Sequence, residues 1–184
     1  QHQMYQNISH DFKTPLTVVK SYIEAIEDGV QDEKSGLKII KQEIKKLEIK
    51  VHSLLYLNKL TYMKNTDNYK RDTINIVDIL SESVEKFKVA RPDIKWQINI
   101  PDTKTIFNMW EAIVDNILSN FMRYAKTEVK ITVKGRQIIF YNDGPNIDET
   151  ILNDIFTPYK KGIKGQFGLG LSIVKTTVSL LGYE

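Results

Sequence analysis

An imidazole and a carboxylate stand side by side at His10 and Asp11, within the segment Ser-His-Asp-Phe-Lys-Thr-Pro-Leu of residues 9–16. On a helix that turns about 100° per residue, the apolar residues around this segment form one narrow stripe. The stripe comprises Ile8, Phe12, Pro15, Val19, Tyr22 and Ile26. His10 lies about 200° around the helix from the first of these, so we expect it to face outward, together with Thr14 one turn later. Pro15 lacks an N–H and crowds the carbonyl of Asp11, so the helix is predicted to bend just after His10.

A second set of polar side chains lies on a helix predicted at 109–124. Asn116 and Asn120 are four residues apart and therefore share one face. The apolar residues of another face are predicted to enter the core: Ile113, Ile117 and Phe121. An amide oxygen is a suitable ligand for Mg²⁺, and amide N–H groups can hold phosphate oxygens. The asparagine pair is thus a candidate phosphate and metal site.

Two segments that contain glycine lie next to predicted elements farther along the chain. The segment Asn-Asp-Gly-Pro-Asn-Ile at 142–147 follows a predicted strand, and the segment Gly-Gln-Phe-Gly-Leu-Gly-Leu at 165–171 precedes a predicted helix. Gly168 and Gly170 allow a tight loop, and the N-terminus of the following helix offers N–H groups and a positive dipole to phosphates. Together the segments indicate a nucleotide-binding loop system.

The elements that would position these residues fall into two groups. A heptad seam follows the first helix and indicates coiled-coil packing; it comprises Leu37, Ile40, Ile44, Leu47, Val51 and Leu54. Gly29 marks the expected end of the first helix, so residues 1–64 are predicted to form an antiparallel helical hairpin. A narrow seam on each helix buries too little area alone, so we expect a homodimer with a four-helix bundle.

A polar linker at 64–72 separates the hairpin from a second domain predicted at 73–184. The pattern there predicts helices at 74–87, 109–124, 149–156 and 169–181, a strand at 95–100, and a hairpin of strands at 129–133 and 137–141. Helices in one layer and a mainly antiparallel sheet in another give an α+β sandwich.

The composition bounds the function without specifying it. A net charge of +3, from 26 basic and 23 acidic residues, argues against a nucleic-acid binder, which would need a strongly basic face. Cysteine is absent, which suits a reducing cytoplasm. No run approaches the roughly 18 consecutive apolar residues of a membrane helix, so we expect no membrane contact by this chain. The ends at Gln1 and Glu184 look cut, which indicates a fragment of a longer protein.

The octet around His10 resembles the H-box of bacterial sensor histidine kinases. Further segments resemble the nucleotide-binding boxes of the GHKL ATPase family, which includes those kinases. Residues 115–124 resemble the N-box, 142–147 and 165–171 the two glycine boxes, and 155–161 the F-box. The boxes occur in the family's order from His10 to Gly170 and therefore cover nearly the whole chain.

The resemblance implies a role for each matching residue. His10 would accept phosphate from ATP, Asp11 would orient the imidazole and take its proton, and Thr14 would position water in a reverse phosphatase reaction. Asn116 would coordinate Mg²⁺, Phe156 would pack the lid beside the site, and Lys161 would neutralise phosphate charge. The remaining implied nucleotide contacts are Asn120, Arg123, Tyr124, Asn142, Asp143, Gly144, Gly168, Leu169 and Gly170.

The chain departs from the family pattern at several positions. Asn142 stands where an aspartate normally receives the adenine amino group, with Asp143 beside it, so either residue could make that contact. Asn146 and Gln166 replace glycines, and Asp115 replaces a glutamate. The family usually continues with two more strands beyond the point where this chain stops.

The predicted function is ATP- and Mg²⁺-dependent autophosphorylation on His10, followed by phosphotransfer to an aspartate of a response regulator, in the cytoplasmic part of a bacterial membrane sensor. Two alternatives remain open at this point. One is a non-catalytic dimeric scaffold with a degenerate nucleotide site, and the other is a clamp-type GHKL ATPase. Neither alternative requires His10.

Overall fold

The computed structural model of this chain describes residues 2–66, 72–101, 105–107, 109–135, 137–159 and 168–184. These residues group into two compact units, Gln1–Tyr56 and Leu57–Glu184. The division falls inside the second helix, which continues to Thr66. The domain limits at 64 and 73 that composition suggested remain a prediction. Within the described ranges, no helix has both the length and the apolar character needed to cross a bilayer.

The first unit is built from α1 (His2–Glu27) and the first part of α2 (Glu33–Thr66). Every residue of the predicted stripe on α1 is buried or half-buried, and Pro15, which lies within the helix, is buried. The residues of the heptad seam on α2 differ in burial. Ile40 is buried, whereas Leu37, Ile44 and Val51 are exposed. The helical hairpin is therefore confirmed, and one apolar strip of α2 has no cover within the described part of this unit.

The second unit contains five strands and three further helices in the described ranges. The strands are β1 (Thr73–Asn75), β2 (Lys95–Asn99), β3 (Thr105–Phe107), β4 (Glu128–Lys134) and β5 (Gln137–Asn142). The helices are α3 (Ile76–Ala90), α4 (Trp110–Tyr124) and α5 (Gly170–Leu180), with a 3-10 helix at Glu149–Asp154. The sheets have strand orders β2-β4-β5 and β1-β3.

One core joins the helices to the larger sheet. Buried residues of α3 and α4 meet Val129 and Ile131 of β4, which are fully buried. Helix α4 contacts α3, α5 and β5, so it is the central helix of this unit. On α4, Ile113 is buried, and Ile117 and Phe121 pack against the core as predicted. The α+β architecture is confirmed. The contacts of α4 with α3, α5 and β5 fix the position of its polar face.

Two local predictions need correction, and two strand pairings were not predicted. The helix expected at 74–87 begins at Ile76, because Asn75 accepts a hydrogen bond from the N–H of Val77 at 3.0 Å and caps it. The residues just before it form β1, which pairs with the unpredicted β3. Strand β2 pairs with β4 in parallel, a direction that the sequence analysis left open. The helix expected at 149–156 is a 3-10 helix that ends at Asp154.

Candidate functional site

The phosphoacceptor candidate lies on the outer face of α1. His10 is exposed, as are Ser9 and Thr14, while Asp11 is half-buried. The hydroxyl of Thr14 donates to the main-chain carbonyl of His10 at 3.1 Å. The outward position that the helical wheel predicted for His10 is confirmed, so its imidazole is accessible to a reacting group.

A residue that the sequence did not single out contacts the same turn. Lys50 of α2 is buried, with 9% of its surface exposed, and its Nζ donates to the main-chain carbonyl of Asp11. The ammonium also lies 6.0 Å from the centroid of the Phe12 ring. No sequence pattern indicates this role of Lys50, because its partner is a main-chain carbonyl.

The second unit brings the asparagine of α4 against the start of α5. The amide nitrogen Nδ2 of Asn116 donates to the carbonyl of Ala112 at 2.7 Å, which directs the amide oxygen away from its own helix. That oxygen lies 2.9 Å from the position that a Cβ on Gly170 would occupy. A larger residue at 170 would force this amide to shift, so the second glycine segment and Asn116 lie directly against each other.

The start of α5 has features suited to an anion. Leu169, just before the helix, is buried, and its carbonyl accepts from the hydroxyl of Ser172 at 2.7 Å. The helix has no side-chain cap at its N-terminus. The N–H groups of its first turn have no partner within the helix itself, and the positive end of the dipole lies at the same place. Gly168 precedes this turn with φ of +65°.

The first glycine segment packs against the other end of α4. A Cβ on Gly144 would collide with the carbonyl of Tyr124 and would lie 2.6 Å from Oδ1 of Asn142. That Oδ1 accepts a hydrogen bond from the N–H of Gly144 at 2.9 Å. The segment after β5 is therefore held directly against Tyr124, the last residue of α4, and Asn142 lies at the same junction.

Asp143 is engaged on the connection between α4 and β4. Its Oδ1 accepts from the main-chain N–H groups of Lys126, Thr127 and Glu128 at 2.9, 3.0 and 3.1 Å, and its Oδ2 accepts from the hydroxyl of Thr127 at 2.6 Å. The hydrogen bonds from the Thr127 hydroxyl and from these N–H groups hold the pKa of Asp143 far below its usual range. The carboxylate thus fixes the segment that follows Tyr124.

The remaining candidates among the described residues lie on α4 or beside α5. Asn120 and Tyr124 are half-buried on α4, and Nη2 of Arg123 lies 3.3 Å from the hydroxyl of Ser119. Phe156 is exposed, with Nζ of Lys175 lying 5.7 Å from its ring centroid. Lys161 lies outside the described residues.

Contacts that sequence reasoning missed hold α4 in place. The carboxylate of Asp115 accepts from the hydroxyl of Ser83 and from Nζ of Lys86, both on α3 and both at 2.8 Å. Nη1 of Arg91 donates to the carbonyl of Met122 at 2.8 Å, near the end of α4. The residues of each pair are 29 to 32 positions apart in the chain, and no local pattern connects them. Asp115 therefore links α4 to α3.

The residues present fit a hard cation bound together with phosphate oxygens. In the described ranges, no three His, Cys, Asp or Glu side chains converge as a metal cluster. The oriented amide oxygen of Asn116 is instead a hard oxygen donor beside the N-terminus of α5. A Mg²⁺ ion commonly takes one or two protein ligands and completes its shell with water and substrate phosphates. This donor set is compatible with that arrangement.

Comparison with sequence families divides the chain in the same order as its motifs. Residues 1–62 match the family described as the His Kinase A (phospho-acceptor) domain. Residues 108–184 match the family described as the histidine kinase-, DNA gyrase B-, and HSP90-like ATPase. The first match contains His10 and Lys50, and the second contains the described glycines and asparagines that meet around α4 and α5.

Curated relatives match nearly all of this chain. The sensor histidine kinase CssS of Bacillus subtilis is 38% identical over 187 residues, which covers 96% of this chain and 41% of that protein. The sensor protein kinase WalK of Staphylococcus epidermidis is 28% identical over 195 residues, covering 94% of this chain and 32% of that protein. The chain therefore spans 41% and 32% of the length of these two relatives.

Solved structures share the fold at lower identity. The histidine kinase AdeS of Acinetobacter baumannii has a TM-score of 0.75 at 17% identity, covering 93% of this chain and 86% of that one. The histidine kinase ThkA, solved in complex with the response regulator TrrA, has a TM-score of 0.74 at 18% identity, covering 98% of this chain and 55% of that one. With its two family matches and its 38% identical relative, this chain belongs to the sensor histidine kinases.

Proposed function

We propose that this chain is the kinase part of a two-component sensor, which transfers the γ-phosphoryl group of ATP to His10 and then to an aspartate of a response regulator. The convergence at α4 carries this proposal. Gly170 closely approaches Asn116 on its polar face, and Gly144 closely approaches Tyr124 at its end. A Cβ on Gly144 would collide with the main-chain carbonyl of Tyr124, and a Cβ on Gly170 would force the Asn116 amide to shift, so both glycine segments pack directly against α4.

The chemistry assigned to His10 is an in-line displacement at phosphorus. The imidazole nitrogen forms a bond to the γ-phosphorus while the bond to the bridging oxygen breaks, and ADP leaves with those electrons. Asp11, the adjacent residue, accepts the proton that the imidazole loses. His10 meets the first requirement for this role, because its side chain is exposed.

The nucleotide contacts are assigned from the resemblance to the GHKL family. We assign the phosphates to the N-terminus of α5 and to Asn120 and Arg123, and the adenine to Asn142 and Tyr124. Asn116 would hold Mg²⁺ through its amide oxygen, and the ion would offset charge on the phosphates. Asp143 is assigned a supporting role, since both its carboxylate oxygens already accept from residues 126–128.

A second activity is favoured by Thr14. Its hydroxyl is exposed one turn after His10 and donates to the His10 carbonyl, which leaves the oxygen's lone pairs able to accept from water. We propose that Thr14 positions water for dephosphorylation of the response regulator. The partners would be a second copy of this chain and a response-regulator receiver domain, on the cytoplasmic side of the membrane.

Incubation with γ-labelled ATP and Mg²⁺ tests the proposal. We expect label on the protein that is lost in acid and stable in alkali, as a phosphoramidate is. The Asn116→Ala variant should remain folded and unlabelled, because Asn116 lies on the polar face of α4 and its partner is its own helix. Release of labelled phosphate without protein labelling would favour a clamp-type ATPase. Failure to bind a non-hydrolysable ATP analogue would favour a non-catalytic scaffold.

A further inference from the structure

One carbonyl in the middle of α1 lacks its usual helical partner. In an α-helix the N–H of each residue donates to the carbonyl four residues earlier. Asp11 would receive this bond from residue 15, but Pro15 has no N–H. Pro15 is buried, so this side of the turn faces the interior of the hairpin. A buried main-chain carbonyl that loses this bond is stabilised by another donor.

Lys50 of α2 supplies the missing donor. Its Nζ donates to the Asp11 carbonyl across a separation of 39 residues. Lys50 is 9% exposed, whereas Lys38, Lys41, Lys45 and Lys46 of the same helix are exposed. Lysine is among the residues least often buried unless it is paired, so the burial of this one is explained by the carbonyl that it contacts.

The contact lies directly beside the phosphoacceptor. Asp11 follows His10 in the chain, and the carbonyl of His10 accepts from the hydroxyl of Thr14. The two consecutive carbonyls at His10 and Asp11 are therefore both held by side-chain donors, one from α1 and one from α2. The orientation of the main chain at this turn sets the direction of the His10 side chain.

We propose that Lys50 is a positioning residue, which holds the turn of α1 broken by Pro15 and so fixes the orientation of His10 for phosphoryl transfer. The inference rests on the proposed function for its effect on the reaction, and on the observed contact for its effect on the turn. A reacting atom displaced by even about 1 Å can cost a large factor in rate. Lys50 would act through the main chain and would touch neither ATP nor the phosphoryl group.

The first test compares Lys50→Met with Lys45→Met in steady-state and single-turnover autophosphorylation. Lys50→Met removes the donor but keeps an apolar chain of similar length, and Lys45 is an exposed control on the same helix. We expect Lys50→Met to lower kcat about tenfold, which is about 1.4 kcal/mol of barrier, with KM for ATP unchanged. Lys50→Arg should recover most of kcat, since a guanidinium also donates. Equal kcat values for the two methionine variants would overturn the proposal.

The second test asks whether Lys50 acts through the Asp11 carbonyl, which cannot accept a hydrogen bond from Pro15. An alanine at residue 15 restores the N–H, so in the Pro15→Ala background Lys50→Met should change kcat by less than about twofold. The midpoint of thermal unfolding should follow the same pattern. Lys50→Met should lower it by about 3 °C in the chain that keeps Pro15 and leave it nearly unchanged in the Pro15→Ala background. The same loss in both backgrounds would contradict the proposed contact.

The two measurements separate this inference from the proposed function. If the unsubstituted chain takes no label while the unfolding midpoints show coupling between residues 15 and 50, the proposed function is wrong, and so is the part of Lys50 in it. If the chain takes label but residues 15 and 50 show no coupling, the inference alone is wrong. Should Lys50→Met fail to fold, the Pro15→Ala/Lys50→Met protein should fold, and its failure to do so would also contradict the contact.

Discussion

At the scale of single residues, exposure distinguishes His10 from the apolar residues around it. The stripe on its helix is buried or half-buried, while His10 and Thr14 face outward. Outward position is common for a histidine and does not by itself indicate a reaction. The more specific feature is the turn of α1 that carries His10. Thr14 and Lys50 donate hydrogen bonds to the main-chain carbonyls of His10 and Asp11 there.

Replacement of His10 by glutamine tests the phosphoacceptor directly. His10→Gln should abolish labelling from γ-labelled ATP, because the amide has no nucleophilic ring nitrogen. Affinity for a non-hydrolysable ATP analogue should not change, since His10 belongs to the unit Gln1–Tyr56 and the nucleotide contacts belong to the other. His52→Gln is the matched control, as His52 is also exposed and lies on α2. Labelling that persists in His10→Gln, or disappears in His52→Gln, would contradict the assignment.

Asn142 makes a second prediction at this scale. A hydrogen bond to a charged acceptor is worth roughly 1.5–3 kcal/mol and a neutral one roughly 0.5–1.5. Asn142→Asp should therefore tighten binding of an ATP analogue by up to about tenfold, where 1.4 kcal/mol is one decade. Calorimetric titration measures the change.

The neighbouring acid provides the comparison for that experiment. Asp143 is hydrogen-bonded to residues 126–128, so we expect Asp143→Asn to alter affinity less than Asn142→Asp does. A large loss of affinity in Asp143→Asn with no gain in Asn142→Asp would assign adenine to Asp143. Unchanged affinity in both variants would place adenine recognition outside this loop.

At the scale of elements, local patterns predicted what local interactions determine. The stripe of α1 and the apolar face of α4 follow from a period of 3.6 residues, and both were correct. The start of α3 was misplaced, although Asn75 is a common capping residue, because Ile74 continues the apolar pattern into β1. The parallel pairing of β2 with β4 could not be predicted, since side-chain alternation is the same in either direction.

Contacts between residues that are far apart in the chain could not be predicted from the sequence for a related reason. Lys50 has meaning only through the carbonyl of Asp11, and Asp143 only through main-chain N–H groups. Every residue has main-chain N–H or carbonyl groups, so residue types do not indicate which of them a side chain contacts. The roles of these two side chains therefore could not be predicted. The sequence identified both glycine segments but not how closely they approach Asn116 and Tyr124.

The connection between α4 and β4 should respond to acid through Asp143. An aspartate in an unfolded chain has a pKa near 4. The pKa of Asp143 in the folded protein lies below that value. The carboxylate therefore stabilises the fold above about pH 4 and loses this contribution as pH falls below that value and the group is protonated. We expect Asp143→Asn to lower the unfolding midpoint at pH 7 and to differ progressively less from the unsubstituted chain below pH 4.

Asp72→Asn is a suitable control for this profile, because Asp72 is exposed and lies just before β1. It should change the unfolding midpoint little at any pH. A difference between Asp143→Asn and the unsubstituted chain that stays constant from pH 7 to pH 3 would show that the carboxylate charge does not hold the connection.

At the scale of the whole molecule, the exposed apolar strip of the hairpin is expected to pack against another helix. Leu37, Ile44 and Val51 are spaced by seven residues on α2 and are each more than 40% exposed. A repeat of seven that stays apolar over two heptads is the pattern of a helix packed against another helix. Two copies of this chain related by a two-fold axis would bury both strips against each other.

Replacement of the middle residue of this strip by a charge tests the dimer. Burying one isoleucine contributes roughly 1.5–3 kcal/mol, and two copies of the glutamate in Ile44→Glu would also repel each other across a symmetric interface. Light scattering coupled to size-exclusion chromatography should give the mass of two chains for the unsubstituted protein and of one chain for Ile44→Glu. Lys45→Glu, which changes the adjacent exposed residue, should remain dimeric. A dimer that survives Ile44→Glu would place the interface on another face of the hairpin, and a monomeric unsubstituted chain would contradict the four-helix bundle.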